Sequence, residues 1–200
     1  MKNWIRSFMA IVLCATALPA LALESGKPAP DFSLTDIHGK KQTLSKMKGK
    51  FVVLEWINHD CPFVKKHYNG GHMQALQKEY TGKGVEWVSI CSSAKGKQGN
   101  LSAAEWVTKN EEKGGAATAI LLDPSGKVGK LYVAKTTPHI YIIDPKGVLI
   151  YQGAIDDTPS TDSEDIKTSK NYVRATLDEA MAGHPVTESN TKPYGCGVKY

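Results

Sequence analysis

The sequence predicts an α/β three-layer sandwich: a central mixed sheet with helices on both faces and an N-terminal hairpin extension. Three observations carry this. Residues 51–58 are nearly continuously apolar, as a central strand covered on both faces must be. Apolar strand-like runs alternate with helical stretches through residues 51–133, the pattern of crossover units. A hairpin and a last amphipathic helix then close the chain.

The elements follow in order. Residues 23–30 are a polar, proline-containing lead-in. Residues 31–43 read as two short strands around a turn at His38-Gly39. Residues 62–80 read as helical, with a break at Asn69-Gly70-Gly71. Residues 85–91 form the second core strand. A loop over 92–100 leads to Ser102 and Glu105, a capping-box pair that starts a helix running to about Lys113. Residues 119–122 are the third strand, and 127–133 a short helix. Residues 139–144 and 148–151 are strands joined by Asp144-Pro145-Lys146-Gly147, a strong turn signal. Residues 158–168 are polar and acidic and read as a loop. Residues 172–182 place Tyr172, Val173, Leu177 and Met181 on one side of a helix. Gly183 suits its end and Pro185 prevents continuation. Residues 186–200 remain as a tail containing Gly195-Cys196-Gly197.

The first 22 residues read differently from the rest. Lys2 and Arg6 precede an apolar run over 8–18, and Ala20 and Ala22 offer small residues at the two positions a signal peptidase reads. The run is about half of what a bilayer span requires. The expected organisation is a signal peptide over 1–22, a domain over 23–185 and a cysteine-containing tail over 186–200. The expected location is the periplasm or outside the cell, with no stable membrane insertion after processing. The formal charge is +5, from 25 basic and 20 acidic residues. It falls to +3 without residues 1–22, which carry Lys2 and Arg6 and no acid. The basic residues are dispersed, which argues against a nucleic-acid partner. Four cysteines are too few for a disulfide-stapled scaffold. Three remain after processing, Cys61, Cys91 and Cys196, in a compartment where disulfides persist.

Cys61 is the centre of the chemical reading. It follows a buried strand and directly precedes Pro62, which suits the first turn of a helix. Unpaired N–H groups and the helix dipole favour a thiolate there. Lowering a thiol pKa from about 8.5 to 7 requires roughly 2 kcal/mol. The dipole supplies about 0.3–1 kcal/mol, up to about 2. Hydrogen bonds, or Lys65, Lys66 and His59 nearby, would supply the rest, while Asp60 opposes. The reading needs the sulfur exposed and ionisable; the alternative is a buried, inert cysteine. Cys61 and Cys91 end adjacent core strands and are expected on one edge of the sheet, where chemistry gathers.

Gly26-Lys27-Pro28-Ala29-Pro30-Asp31-Phe32, Trp56 through Cys61-Pro62-Phe63-Val64, Thr137-Pro138, and Ile142-Ile143-Asp144-Pro145-Lys146-Gly147 together resemble the thioredoxin-like superfamily. The likeness is to its redoxin branch, grouped with the alkyl hydroperoxide reductase/thiol-specific antioxidant proteins. It covers roughly residues 26–183. The resemblance implies that Cys61 is the attacking thiol, and that Pro138 is cis and lies beside it. Thr137 is implied to offer backbone to substrate. Trp56, Pro62, Thr137 and Pro138 are thus candidate substrate-binding residues. The chain also departs from the pattern. Val64 stands where a Cys-x-x-Cys motif has its second cysteine. Leu54 and Asn58 stand where peroxiredoxins carry proline and threonine or serine. Arg174, the one arginine after residue 22, sits in the last helix.

Resolution of an oxidised Cys61 falls to Cys196, in a glycine-rich tail flexible enough to reach back, or less favourably to Cys91. A Cys61–Cys196 bond closes a loop of about 135 residues, near 5 kcal/mol in the chain-entropy account. Cys91 also reads simply as a small buried side chain, and Cys196 as an unpaired tail thiol. No metal is assigned, with His59, His67 and His139 as weak candidate ligands and His72 alongside. Trp56, Trp87 and Trp106 read as packing residues, Trp56 near the site. Asp156, Asp157, Asp162, Glu164 and Asp165 read as a solvated loop without calcium spacing.

The expectation is an exported thiol-disulfide oxidoreductase of antioxidant character. It would use no organic cofactor, and an external dithiol donor would reduce it. Its substrate is a protein disulfide or a small hydroperoxide. The alternatives are a thiol peroxidase, and a non-catalytic Cys/His copper-binding or folding-assistance module.

Overall fold

The computed structural model describes residues 23–200; the predicted leader lies outside the described residues. Among the described residues nine strands form: β1 (Ser33–Asp36), β2 (Lys41–Thr43), β3 (Val52–Trp56), β4 (Glu86–Cys91), β5 (Ala119–Leu122), β6 (Thr136–Thr137), β7 (His139–Ile143), β8 (Leu149–Gly153) and β9 (Cys196–Gly197). Five helices accompany them: α1 (Pro62–Asn69), α2 (His72–Gly82), α3 (Ala103–Lys113), α4 (Lys127–Leu131) and α5 (Tyr172–Met181).

Seven strands make one mixed sheet in the order β2-β1-β5-β4-β3-β7-β8. β3, β4 and β5 are parallel, with Trp56 opposite Ile90 and Cys91 opposite Leu122. β3 and β4 therefore end on the same edge, as expected. On one side β7 pairs antiparallel with β3 and β8 antiparallel with β7, and the β1–β2 hairpin extends the other side through β5.

The sheet's two faces bury different clusters. Val64, Tyr68, Leu76, Trp106, Val173 and Leu177 cover one face with α1, α2, α3 and α5. Phe32, Leu44, Val128 and Tyr132 cover the other, with α4 and the 3₁₀ turn Leu44–Met47. The all-buried strands β3 and β7 lie between. The helix predicted over 62–80 is split at Gly71, whose φ of +76° is left-handed and ends one helix axis before the next begins. The Ser102/Glu105 capping box forms as read.

Three features differ from the sequence reading. The acidic loop contains a 3₁₀ turn, Glu164–Lys167. The predicted short helix ends at Leu131, two residues early. The tail is not a free appendage but adds a two-stranded sheet of its own, β6–β9. Its side chains and backbone both find partners on the body of the domain, so docking offsets the entropy of ordering it.

Candidate active site

Cys61 caps α1 with extended backbone (φ −71°, ψ 127°), and Pro62 occupies the first helical position. The preceding turn is closed by Asn58, whose carbonyl accepts from the Cys61 N–H at 3.0 Å and whose side chain accepts from the Asp60 N–H at 3.0 Å. Asn58 is thus a loop-building residue packed under Gly99. The Thr137–Pro138 bond is cis and delivers the Thr137 carbonyl to within 3.0 Å of the Cys61 sulfur. Pro138 is buried and Pro62 exposed.

The tail completes the site. The tail pairs with β8: the Thr191 N–H donates to the Gln152 carbonyl at 3.0 Å, and the Gln152 N–H donates to the Ser189 carbonyl at 3.1 Å. Gly195 then crosses Thr137 with φ +143°. A Cβ at that position would collide with the Thr137 carbonyl oxygen, so glycine is required both for its conformation and for the close approach. Cys196 pairs with Thr137, and Gly197 with Thr136. Beyond them the Val198 N–H donates to Lys135, the Lys199 carbonyl accepts from Ala94, and the Tyr200 hydroxyl donates to Ala134 at 2.8 Å.

This register brings the Cys196 thiol beside the Cys61 sulfur, near enough for each to shift the other's acidity. Both thiols are free. Burial pushes the Cys61 thiol up, but hydrogen bonds outweigh it and hold the thiol below its ordinary value. The groups responsible are Cys196, through its thiol and its N–H, and the Val64 N–H in the first turn of α1. The Thr137 carbonyl opposes them, since it favours the protonated thiol. Cys196 moves the other way: burial and the facing Cys61 sulfur push it up to about 11. The two thiols are thus driven apart in acidity, with Cys61 the more acidic of the pair and Cys196 the less.

Several expectations require correction. Cys61 is fully buried rather than exposed, because Cys196 and Thr137 lie over it. Beneath, it joins the apolar cluster of Ile57, Val64 and Tyr68; above, Cys196 of the half-buried tail strand packs against that cluster. Lys66 does not assist the thiolate: its ammonium is buried and bonded to Asp156 at 3.0 Å and to the Thr158 carbonyl at 2.7 Å. Asp156 is consequently no solvated loop residue; it is 2% exposed. Trp56 does not line the cleft. Its ring is buried against Tyr132 and Tyr141 on the opposite face of the sheet, with the indole N–H on Ser92.

The histidines do not gather around Cys61. His59 stacks edge-on against Tyr68 and beside Trp106. His67 faces Asp156 and Tyr194, and His139 is bonded to Tyr141 and the Lys135 N–H. Burial lowers the first two to about 4 and His139 to about 3. Among the described residues, no three His, Cys, Asp or Glu side chains form a metal-holding group. The Cys91 thiol donates to the Gly99 carbonyl at 3.3 Å, and burial pushes its pKa up. Arg174 pairs with Glu79 on the helical face.

Sequence reasoning missed Tyr194. Its hydroxyl donates to Asp156 and its ring packs on Phe63, at 5.8 Å between centroids. A tail residue two positions before Cys196, aromatic and flanked by Pro193 and Gly195, was the available signal.

The AhpC/TSA family profile matches residues 25–152, which includes Cys61 and stops before the tail. Thiol-disulfide oxidoreductase ResA of Bacillus thuringiensis subsp. konkukian is 28% identical over 130 residues, covering 65% of this chain and 69% of that protein. Peroxiredoxin tpx1 of Schizosaccharomyces pombe is 30% identical over 148 residues, covering 70% and 75%. The crystal structure of an uncharacterized conserved protein from Geobacillus kaustophilus superposes with a TM-score of 0.75 at 31% identity, covering 90% of this chain and 94% of that one.

Proposed function

Since the chain belongs to the AhpC/TSA family, a thioredoxin-like redoxin group, we propose that it is a thiol-disulfide oxidoreductase whose redox pair is Cys61 and the tail residue Cys196. The observation that carries this reading is the strand register that sets Cys196 against Thr137 and its thiol against Cys61. Val64 leaves the helix without a second cysteine, and Cys196 supplies one from 135 residues away in sequence.

The cycle follows from the two thiols' unequal acidity and exposure. Residues 195–197 lift from Thr136 and Thr137, and the Cys61 thiolate attacks one sulfur of a substrate disulfide. A Cys61–substrate disulfide forms and the other substrate sulfur leaves as a thiolate. Cys196 returns, loses its proton and attacks the Cys61 sulfur. The Cys61–Cys196 disulfide forms and the second substrate thiolate leaves. The substrate has gained two electrons and the protein dithiol has lost them. A dithiol donor then attacks the half-buried Cys196 sulfur and expels Cys61, the better leaving group because its thiolate is the stabilised one. The donor's second thiol releases Cys196.

Export to the periplasm or the medium is supported by the basic-apolar-small pattern of residues 1–22. A protein disulfide suits the site better than a hydroperoxide. Leu54 and Asn58 leave the peroxide-positioning roles unfilled, and Arg174 is committed to Glu79. The test is mass mapping of the oxidised protein combined with insulin-disulfide reduction and donor-dependent hydrogen peroxide consumption. The expected result is a Cys61–Cys196 linkage, and insulin reduction lost in Cys61→Ser. Peroxide turnover without insulin reduction supports the thiol peroxidase reading instead. A Cys61 thiol that stays free under oxidation overturns both.

A further inference from the structure

The most unusual group outside the reacting sulfurs is Lys66, whose side chain is 0% exposed. Desolvating an ammonium costs several kcal/mol, so a buried lysine needs every proton placed. Lys66 carries three donor protons and has three acceptors: Asp156 at 3.0 Å, the Thr158 carbonyl at 2.7 Å and the Tyr194 hydroxyl at 3.4 Å. The carboxylate of Asp156 is shared in the same way. One oxygen faces Lys66; the other accepts from the Thr158 N–H at 3.1 Å and from the Tyr194 hydroxyl. The third partner of both charges is therefore a residue of the tail.

Around the hydroxyl, the Tyr194 ring is held by residues of one helix turn. Phe63 packs against it, the Lys66 ammonium lies 5.5 Å from its centroid, and His67 Nε2 is 3.4 Å from its oxygen. These residues belong to α1, whose N-cap is Cys61. The nucleophile and the seat for the tail are thus built on the same rigid element. Tyr194 in turn stands two residues before Cys196, with only Gly195 between. On its other side a cavity of about 330 Å³ borders Asp156, Tyr172 and Tyr194. Apolar packing does not close that side, which leaves the polar contacts to fix the phenol.

We propose that Lys66 and Asp156 are positioning residues: they form a socket for the Tyr194 hydroxyl, and the seated phenol holds Cys196 against Cys61. The proposal rests on the reading of Cys61 and Cys196 as the redox pair. Its physical basis is effective concentration. The β6–β9 ladder is two residues long and fixes only one side of Cys196. The socket fixes the other side, and together they convert resolution from a search by a tail into a local reaction.

The test compares wild type, Tyr194→Phe, Lys66→Met and Arg174→Ala in glutathione redox buffers. Intact-mass counting of alkylated thiols gives the Cys61–Cys196 equilibrium constant, and thermal melting gives stability. Tyr194→Phe keeps the ring on Phe63 and leaves Asp156 its bonds to Lys66 and Thr158. It is expected to lower the constant about tenfold, the loss of one charge-assisted hydrogen bond. Lys66→Met is expected to lower it at least as far. Arg174→Ala, which breaks an exposed ion pair away from the tail, is expected to move the melting temperature without moving the constant. A constant for Tyr194→Phe within about twofold of wild type overturns the socket while leaving the redox pair intact. A fall that tracks melting temperature through Arg174→Ala also overturns it. Absence of the Cys61–Cys196 disulfide in wild type overturns the redox pair itself.

Discussion

Oxidation of Cys61 and Cys196 to a disulfide is expected to stabilise the folded chain by about 3 kcal/mol, and the figure can be worked from the site. Linking positions 61 and 196 closes a loop of about 135 residues, which removes near 5 kcal/mol of chain entropy from the unfolded state. The strand register already places Cys196 beside Thr137, on whose carbonyl the Cys61 sulfur sits, so little native rearrangement opposes this. What opposes it is the loss of the reduced pair's own hydrogen bond. In the proposed reduced pair the Cys196 S–H faces a Cys61 thiolate, and a bond to a charged group contributes roughly 1.5–3 kcal/mol. A net 3 kcal/mol corresponds to a melting temperature about 6–12 °C higher in the oxidised form. By the same cycle, the pair's reduction potential is about 60 mV lower in the folded chain than in the unfolded one. The assay is calorimetric melting of oxidised and dithiothreitol-reduced protein at pH 8, with Cys196→Ser as control. The control is expected to melt identically under both conditions. Oxidised and reduced wild type melting together, or a difference that persists in Cys196→Ser, would refute the claim that these sulfurs are prepositioned.

Two other outcomes are open to measurement. In native protein, iodoacetamide is expected to reach the half-buried Cys196 before the covered Cys61. Gly195→Ala is expected to reverse the protection of Cys61, because a Cβ cannot pass the Thr137 carbonyl and the φ of +143° is strained for alanine, about 1–3 kcal/mol; unchanged Cys61 labelling in the variant counts against the strap. Stability is also expected to fall steeply with acid. His59 and His67 are held near 4 and His139 near 3, against an ordinary value of 6.5. Because the folded values are depressed, the unfolded chain binds more protons between about pH 4 and 6.5. The stability is fully present above 6.5 and lost below it, with a slope near pH 5 of up to about 4 kcal/mol per pH unit. Urea titrations from pH 7 to 5 measure that slope, and His59→Phe is expected to reduce it by about one third; a flat profile shows these side chains are charged when folded.

The periodic and local features were legible from residue order alone. Continuous apolarity at 51–58 specified a central strand, Asn69-Gly70-Gly71 a helix break, Ser102 and Glu105 a cap, and Asp144-Pro145-Lys146-Gly147 a hairpin. Each depends on neighbours within one or two turns of chain, where sterics and local hydrogen bonds dominate. Cys61 was legible for the same reason, since its place at a helix N-terminus is a local fact. Its burial was not, because the covering atoms belong to residues 137 and 196. Lys66 read as a neighbour supporting the Cys61 thiolate and Asp156 as a solvated loop charge, since nothing nearby in sequence shows that each finds the other, and Tyr194, across the fold. Trp56 was placed near the cleft by its distance from Cys61 along the chain, yet its ring packs into the cluster on one face of the sheet while Cys61, beyond the strand at the head of α1, packs on the other. Sequence thus determined most of the local elements and which cysteine stands at a helix N-terminus. Only tertiary packing decided what covers that sulfur, because long-range contacts are set by the register between distant strands.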